Sequence, residues 1–248
     1  MEAEANAKVS SHGSAHAAEH ELLLCCARTE ADAETAARIN KLASLKLDWE
    51  YLLRAAYRHA LTALLYHQLN RHAPERVPPH YLSELKRRFQ ANAARNLFLT
   101  KELCRILRRF TSEGVPVVPY KGPALAVAAY GNLSLRHFID LDILVPKREV
   151  LRAKELLLAS GYRLEPPLTD AQQRVVLRTQ HNLPFVSDQR LVVELHWEVA
   201  AKKFSDALDA EGMWERLQKV TLAGETVEAL APEDALPALC VHGSKHFW

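Results

Sequence analysis

The stretch Phe138-Ile-Asp-Leu-Asp-Ile-Leu-Val145 constrains this chain more than any other. It is a short apolar run carrying two carboxylates, Asp140 and Asp142, two residues apart. Read as a β-strand, it sends both acids to one face and Ile139, Leu141 and Ile143 to the other. Burying unpaired carboxylates costs several kcal/mol, and two side by side also repel. A bound divalent cation or a basic partner resolves the conflict, and oxygen ligands suit Mg2+. The plainer reading is a strand with one solvated face.

The rest of the chain sets the frame. Its 248 residues can bury one large core or two small ones. A content of 48% hydrophobic and 25% charged residues is ordinary for a globular protein. The net charge of +2 argues against a general polyanion binder. Cys25, Cys26, Cys104 and Cys240 form no CxxC pair and follow no secretory signal, which points to a reducing, cytoplasmic setting. No apolar run approaches the roughly 18 residues of a membrane span.

In order, residues 1–18 are expected to be a disordered leader and 19–113 an all-α region. Within that region Leu22 to Cys26 sits in a short buried helix, and Ala31 to Ser44 forms another. Asp48 caps a helix whose apolar spacing continues through Leu61, Leu65 and Leu69. The proline-rich stretch from Arg71 to Pro79 is a loop. A long helix then runs from about His80 to Ser112, with Gly114 as its stop. It carries Lys86, Arg87, Arg88, Arg95, Lys101, Arg105, Arg108 and Arg109 against Glu84, Glu102 and Glu113. That excess could attract phosphate, but a solvated face is the favoured reading, so nucleic acid is not the leading partner.

From Gly114 to Leu230 the texture is that of an α/β core. Val115 to Tyr120 is β-like, Lys121-Gly-Pro123 is a turn, and Ala124 to Tyr130 is a helix stopped by Gly131. Helices are expected at Pro146 to Ser160, at Thr169 to Thr179 and at Phe204 to Gln218. His181 to Ser187 and Leu191 to Trp197 make a hairpin, and a smaller one surrounds Gly224-Glu225. Pro232 opens a last helix toward Trp248. Its abrupt end leads us to expect a longer natural domain. The fold class is therefore α+β: an α-helical N-terminal region and a small mixed-sheet core flanked by helices.

Glu194 is the third acid, alone in the apolar strand Leu191 to Trp197 with His196 on the same face. If that strand lies beside Asp140 and Asp142, three carboxylates converge as in a two-metal phosphoryl or nucleotidyl transfer site. Lys121-Gly122, after a strand and before a helix, could meet a phosphate through backbone N–H groups and a charge. Arg136 could neutralise phosphate or pair with the acids. His196 could touch substrate or order Glu194. His242 and His246 lack the intervening Glu of a zinc protease, because Gly243 follows His242.

The sequence of strand, Lys121-Gly122, helix, Tyr130-Gly131, Arg136, Asp140-Leu-Asp142, helix, Gly161-Tyr162 and Glu194-Leu-His-Trp197 resembles the uncharacterised bacterial nucleotidyltransferases of the DNA polymerase β-like superfamily. The resemblance covers roughly residues 20–248. It implies that Asp140 and Asp142 bind metal and that Glu194 is a metal ligand or base. It also implies that Lys121 and Gly122 form the phosphate turn, with Arg136 near the triphosphate; His196, from its place on the face of Glu194, is expected beside the nucleotide. Pro123 departs from the superfamily pattern, which has a second Gly or a Ser there. The implied reaction is Mg2+-dependent, with two ions or with Mn2+ in their place. It moves a nucleoside monophosphate from NTP, ATP among the substrates, to a hydroxyl or phosphate of a small molecule, protein or RNA. The rival readings are a metal-dependent phosphohydrolase and a binding module that has lost catalysis.

Overall fold

The computed structural model describes residues 16–199 and 211–244. They form ten α-helices and seven strands: α1 Ala17–Cys26, α2 Ala33–Ala43, α3 Trp49–Arg58, α4 Thr62–His72, α5 Pro79–Ser112, β1 Val118–Pro119, α6 Gly122–Tyr130, β2 Asp140–Leu144, α7 Val150–Ala159, β3 Tyr162–Leu164, α8 Asp170–Thr179, β4 Asn182–Ser187, β5 Val192–His196, α9 Gly212–Glu215, β6 Gln218–Leu222, β7 Glu225–Ala229 and α10 Pro232–Ser244. Short 3-10 turns precede α5, at Pro74–Arg76, and α7, at Lys147–Glu149.

Two compact units divide the chain. One holds the residues up to Arg95 together with Tyr130–His137, and the other holds Asn96–Ala129 and the chain from Phe138 onward. The first unit is helical. Its core gathers Leu22, Cys26, Ile39, Leu52, Leu65, Leu69 and Leu85, all of them with no exposed surface. Asp32 caps α2 through the Thr35 amide, and Asp48 caps α3 through the Tyr51 amide. Buried Glu19 accepts the Asp48 backbone N–H at 2.7 Å, and Gln68 donates to the Arg28 carbonyl at 2.9 Å. Glu19 and the Gln68 amide nitrogen thus pair with backbone groups at helix ends that would otherwise lack partners.

Helical spacing from Asp48 to Leu69 reads as one helix, but the chain breaks it into α3 and α4. Ala60 takes a left-handed φ of +56°, which ends the first helix without glycine or proline. α4 also continues to His72, into the stretch expected to be loop. α1 starts at Ala17, inside the stretch read as leader.

The second unit is built on a five-stranded mixed sheet in the order β1-β2-β5-β4-β3. β2 and β5 are parallel neighbours in the middle, and every other pairing is antiparallel. Alternation explains their inner face: Leu141, Ile143, Val193 and Leu195 are all fully buried. Ile139, expected on that face, precedes β2 and is 57% exposed. β4 and β5 form the expected hairpin, and β6 and β7 form the smaller one. The β-like stretch from Val115 shrinks to Val118–Pro119, because Pro116 and Pro119 cannot donate to a ladder. β3 has no counterpart among the expected strands. α8 opens on a reciprocal capping box between Thr169 and Gln172. Of the expected helix over 204–218, residues 204–210 lie outside the described residues, Gly212–Glu215 is helical and Gln218 already begins β6. His246 also lies outside the described residues. Among the described residues no helix is long and apolar enough to cross a membrane.

Candidate functional site

The parallel pairing of β2 with β5 sets Asp142 opposite Glu194 and Leu144 opposite His196. Asp140, Asp142, Glu194 and His196 therefore stand on one face of two adjacent strands, because side chains in register on paired strands share a face. One ligand atom from each of Asp142, Glu194 and His196 lies within 4.8 Å of the others. No second such group of histidines, cysteines or carboxylates occurs among the described residues. Asp140, expected as a ligand, lies outside this group, and His196, expected beside a nucleotide, lies inside it.

Hydrogen bonds knit the group together. His196 Nε2 is 3.0 Å from Asp142 Oδ1 and 3.1 Å from Glu194 Oε2. Lys121 Nζ donates to the same Asp142 oxygen at 2.8 Å, in a pair that is almost fully buried. Asn182, opposite His196 on β4, donates to Glu194 Oε2 at 2.9 Å. Tyr120 completes the wall: its ring meets His196 edge-on at 5.0 Å and carries the Lys121 ammonium 4.6 Å from its centre. Neither Asn182 nor Tyr120 stands out in the sequence. The hairpin register was the signal for the first, and adjacence to Lys121 was the signal for the second.

The charges follow from this packing. Burial works to raise the Asp142 carboxyl, but the His196 hydrogen bond and the Lys121 charge overcome it and hold it below the usual range. Glu194 is also lowered, chiefly by its bond to His196 and against the effect of burial. Asp140 is raised, first by burial and then by the charges of Asp142 and Glu194. Three carboxylates face one lysine, and the two excess negative charges match one divalent cation.

The donor set fits such an ion through its carboxylates. His196 Nδ1 is buried without a hydrogen-bond partner. Were Nε2 a metal ligand, Nδ1 would carry an N–H with nowhere to donate, whereas metal-bound histidines normally give that hydrogen to an acceptor. The hydrogen-bond geometry favours the tautomer in which Nε2–H bridges Asp142 and Glu194. His196 then holds the oxygen ligands, and oxygen ligands suit Mg2+.

Lys121 and Gly122 lie at the turn into α6. Gly122 has a φ of +51°, and a side chain there would meet the Asp140 carbonyl at 3.4 Å. The glycine thus lets the turn run against the acid-bearing strand. Pro123 is buried in the first turn of α6, where a missing N–H costs nothing to the helix. Arg136 belongs to the helical unit, where its carbonyl accepts from Asn92.

The family described as uncharacterised nucleotidyltransferase matches residues 46–248. No curated protein matches the chain.

Proposed function

The chain belongs to this uncharacterised nucleotidyltransferase family, and from that premise we propose that it transfers a nucleoside monophosphate from an NTP to an acceptor hydroxyl or phosphate. The observation that carries the reading is the in-register pairing of Asp142 with Glu194 on parallel strands, bridged by His196. In the proposed reaction an acceptor oxygen attacks the α-phosphorus in line, the α–β phosphoanhydride bond breaks, and pyrophosphate leaves with its electron pair. Mg2+, when bound, would neutralise charge on the phosphates and polarise the reacting oxygens. Asp142 and Glu194 would hold the ion, and Asp140 adds negative charge on the same face. Asn182 and His196 fix the Glu194 carboxylate by occupying one of its oxygens. Lys121 neutralises Asp142 and lies at the turn where a phosphate would enter. Lys121 and Gly122 are the proposed phosphate turn. A second ion is proposed as a further partner of the triphosphate, and Mn2+ as a substitute metal. A cytoplasmic setting, where NTPs are plentiful, belongs to the same proposal.

The test is product analysis with each α-labelled NTP and Mg2+ or Mn2+. Transfer yields pyrophosphate and label on an acceptor, and Asp142→Asn abolishes both. Release of inorganic phosphate without label transfer would instead favour a phosphohydrolase. Metal-dependent NTP binding without any product would favour a binding module.

A further inference from the structure

The long helix α5 carries eight basic side chains, and the structure separates those that are neutralised from those that are not. Arg87 and Arg88 share Glu84, Arg105 pairs with Glu102, Arg108 with Glu225 and Arg109 with Glu113. Lys86, Arg95 and Lys101 have no carboxylate partner among the described residues. Most of the helix is therefore a salt-bridged surface, in keeping with the solvated face expected for it. The exception lies in the helical unit.

There Arg95 faces a cavity of about 520 Å³ lined by α3, α4, α5 and His137. Arg58, also without a carboxylate partner among the described residues, lines it from the end of α3. Arg87 and Arg88 line it too, and because one glutamate serves both, they leave a positive charge in excess. Among the described residues no acidic side chain lines this cavity. Tyr57 stands at its edge, 72% exposed, with the Arg88 guanidinium 5.8 Å from its ring centre. A second hollow of about 800 Å³, holding Tyr81 and the Arg54–Glu50 pair, shares Tyr57, Arg58 and Arg88 with the first, so the two make one trough.

A large aromatic ring left exposed beside uncompensated arginines is unfavourable in isolation: the charges repel and the ring is hydrated. Both costs disappear when a phosphate meets the guanidiniums and a planar base lies on the ring. The cavity volume is within the range of small-molecule sites, and its continuation into the second hollow suits a ligand longer than one ring.

We propose that this trough is a second ligand site, which binds a nucleotide unit by its phosphate, through Arg58 and Arg95, and by its base, against Tyr57. The unit belongs either to a free nucleotide or to a single-stranded RNA. None of the residues lining the trough belongs to the acidic site, so the proposal stands whether or not that site transfers nucleotides.

The experiment measures fluorescence anisotropy of a labelled single-stranded oligoribonucleotide titrated with the full chain in EDTA, with AMP and ATP as unlabelled competitors. The expected result is binding that weakens steeply with salt. The double variant Arg58→Glu/Arg95→Glu should weaken it at least tenfold and flatten the salt dependence, by about 0.7 of slope for each phosphate that is no longer neutralised. Both arginines are exposed and have no carboxylate partner among the described residues, and an unchanged melting temperature checks that the variant is folded. Tyr57→Ala should weaken binding and leave the salt slope unchanged. Displacement by AMP or ATP identifies a free nucleotide as the ligand, and binding of the strand without such displacement identifies RNA. Absence of binding by either probe overturns the proposal. So does binding that the arginine and tyrosine variants leave untouched.

Discussion

Lys121 Nζ donates to Asp142 Oδ1 at 2.8 Å with both side chains buried, so the acidic face carries its own cation. A divalent ion on Asp142 and a lysine on the same oxygen satisfy the same electrostatic need. They compete for it or must rearrange to share it.

Replacing Lys121 with Met should therefore expose that competition. Removing one partner of a buried pair leaves an uncompensated charge and costs about 3–5 kcal/mol. In EDTA the variant should melt well below the wild type. Added Mg2+ or Mn2+ should then raise its melting temperature more than that of the wild type. Equal cation-induced shifts in the two proteins would show that lysine and ion do not share a place.

Glu102 supplies a pH-dependent part of the stability. Its carboxylate accepts from Arg105 at 2.9 and 2.7 Å and from the Tyr162 hydroxyl at 2.6 Å. The Arg105 hydrogen bond, against some burial and with help from Tyr162, lowers its pKa. A carboxyl with a folded-state pKa below its unfolded value contributes stability above the unfolded pKa. That stability disappears as pH falls through the folded pKa. Glu102→Gln should cost about 1–2 kcal/mol at pH 7, in line with hydrogen bonds to charged groups. The cost should shrink as pH falls below the ordinary carboxylate range and through the lowered folded-state pKa. Urea melts of both proteins across that acid range and at pH 7 measure it, and a difference independent of pH would contradict the ionic role.

Gly122 and Gly131 separate backbone strain from ligand contact. Both have positive φ, +51° and +65°. Alanine at either should cost about 1–2 kcal/mol, the penalty for a side chain in the left-handed region. Only Gly122→Ala places a Cβ beside the Asp140 carbonyl at the proposed phosphate turn. Thermal shift with NTP and Mg2+ should fall for Gly122→Ala and hold for Gly131→Ala. An equal response in both would remove the turn from the nucleotide site.

The parts of this fold that the sequence announces are those with strong local chemistry. Thr169 marked the start of α8, and the alternating runs around Asp188-Gln-Arg190 marked the β4–β5 hairpin. Asp140, Asp142 and Glu194 were legible because charges are rare in apolar strands. What stayed hidden depends on neighbours distant in sequence. Ala60 breaks a helix with no breaker residue, and three-residue β3 exists only because β4 pairs with it. Asn182 is unremarkable until the register sets it against Glu194, and the bridging of two carboxylates by His196 follows from a parallel crossover that one strand alone cannot reveal. The partner of Arg108 on α5 stayed hidden for the same reason: Glu225, which neutralises it, is over a hundred residues away.

The two ends of the five-stranded sheet have a consequence for how copies of this chain meet. One edge strand has two residues, the second of them Pro119, and the other edge strand has three. An unpaired strand edge is a template on which another chain can grow, and short edges with proline are poor templates. The acid-bearing strands β2 and β5 lie inside these edges, each bonded on both sides. Strand addition to this five-stranded sheet thus has little to grip, and the carboxylate face cannot be reached by recruiting its backbone into a neighbour's sheet.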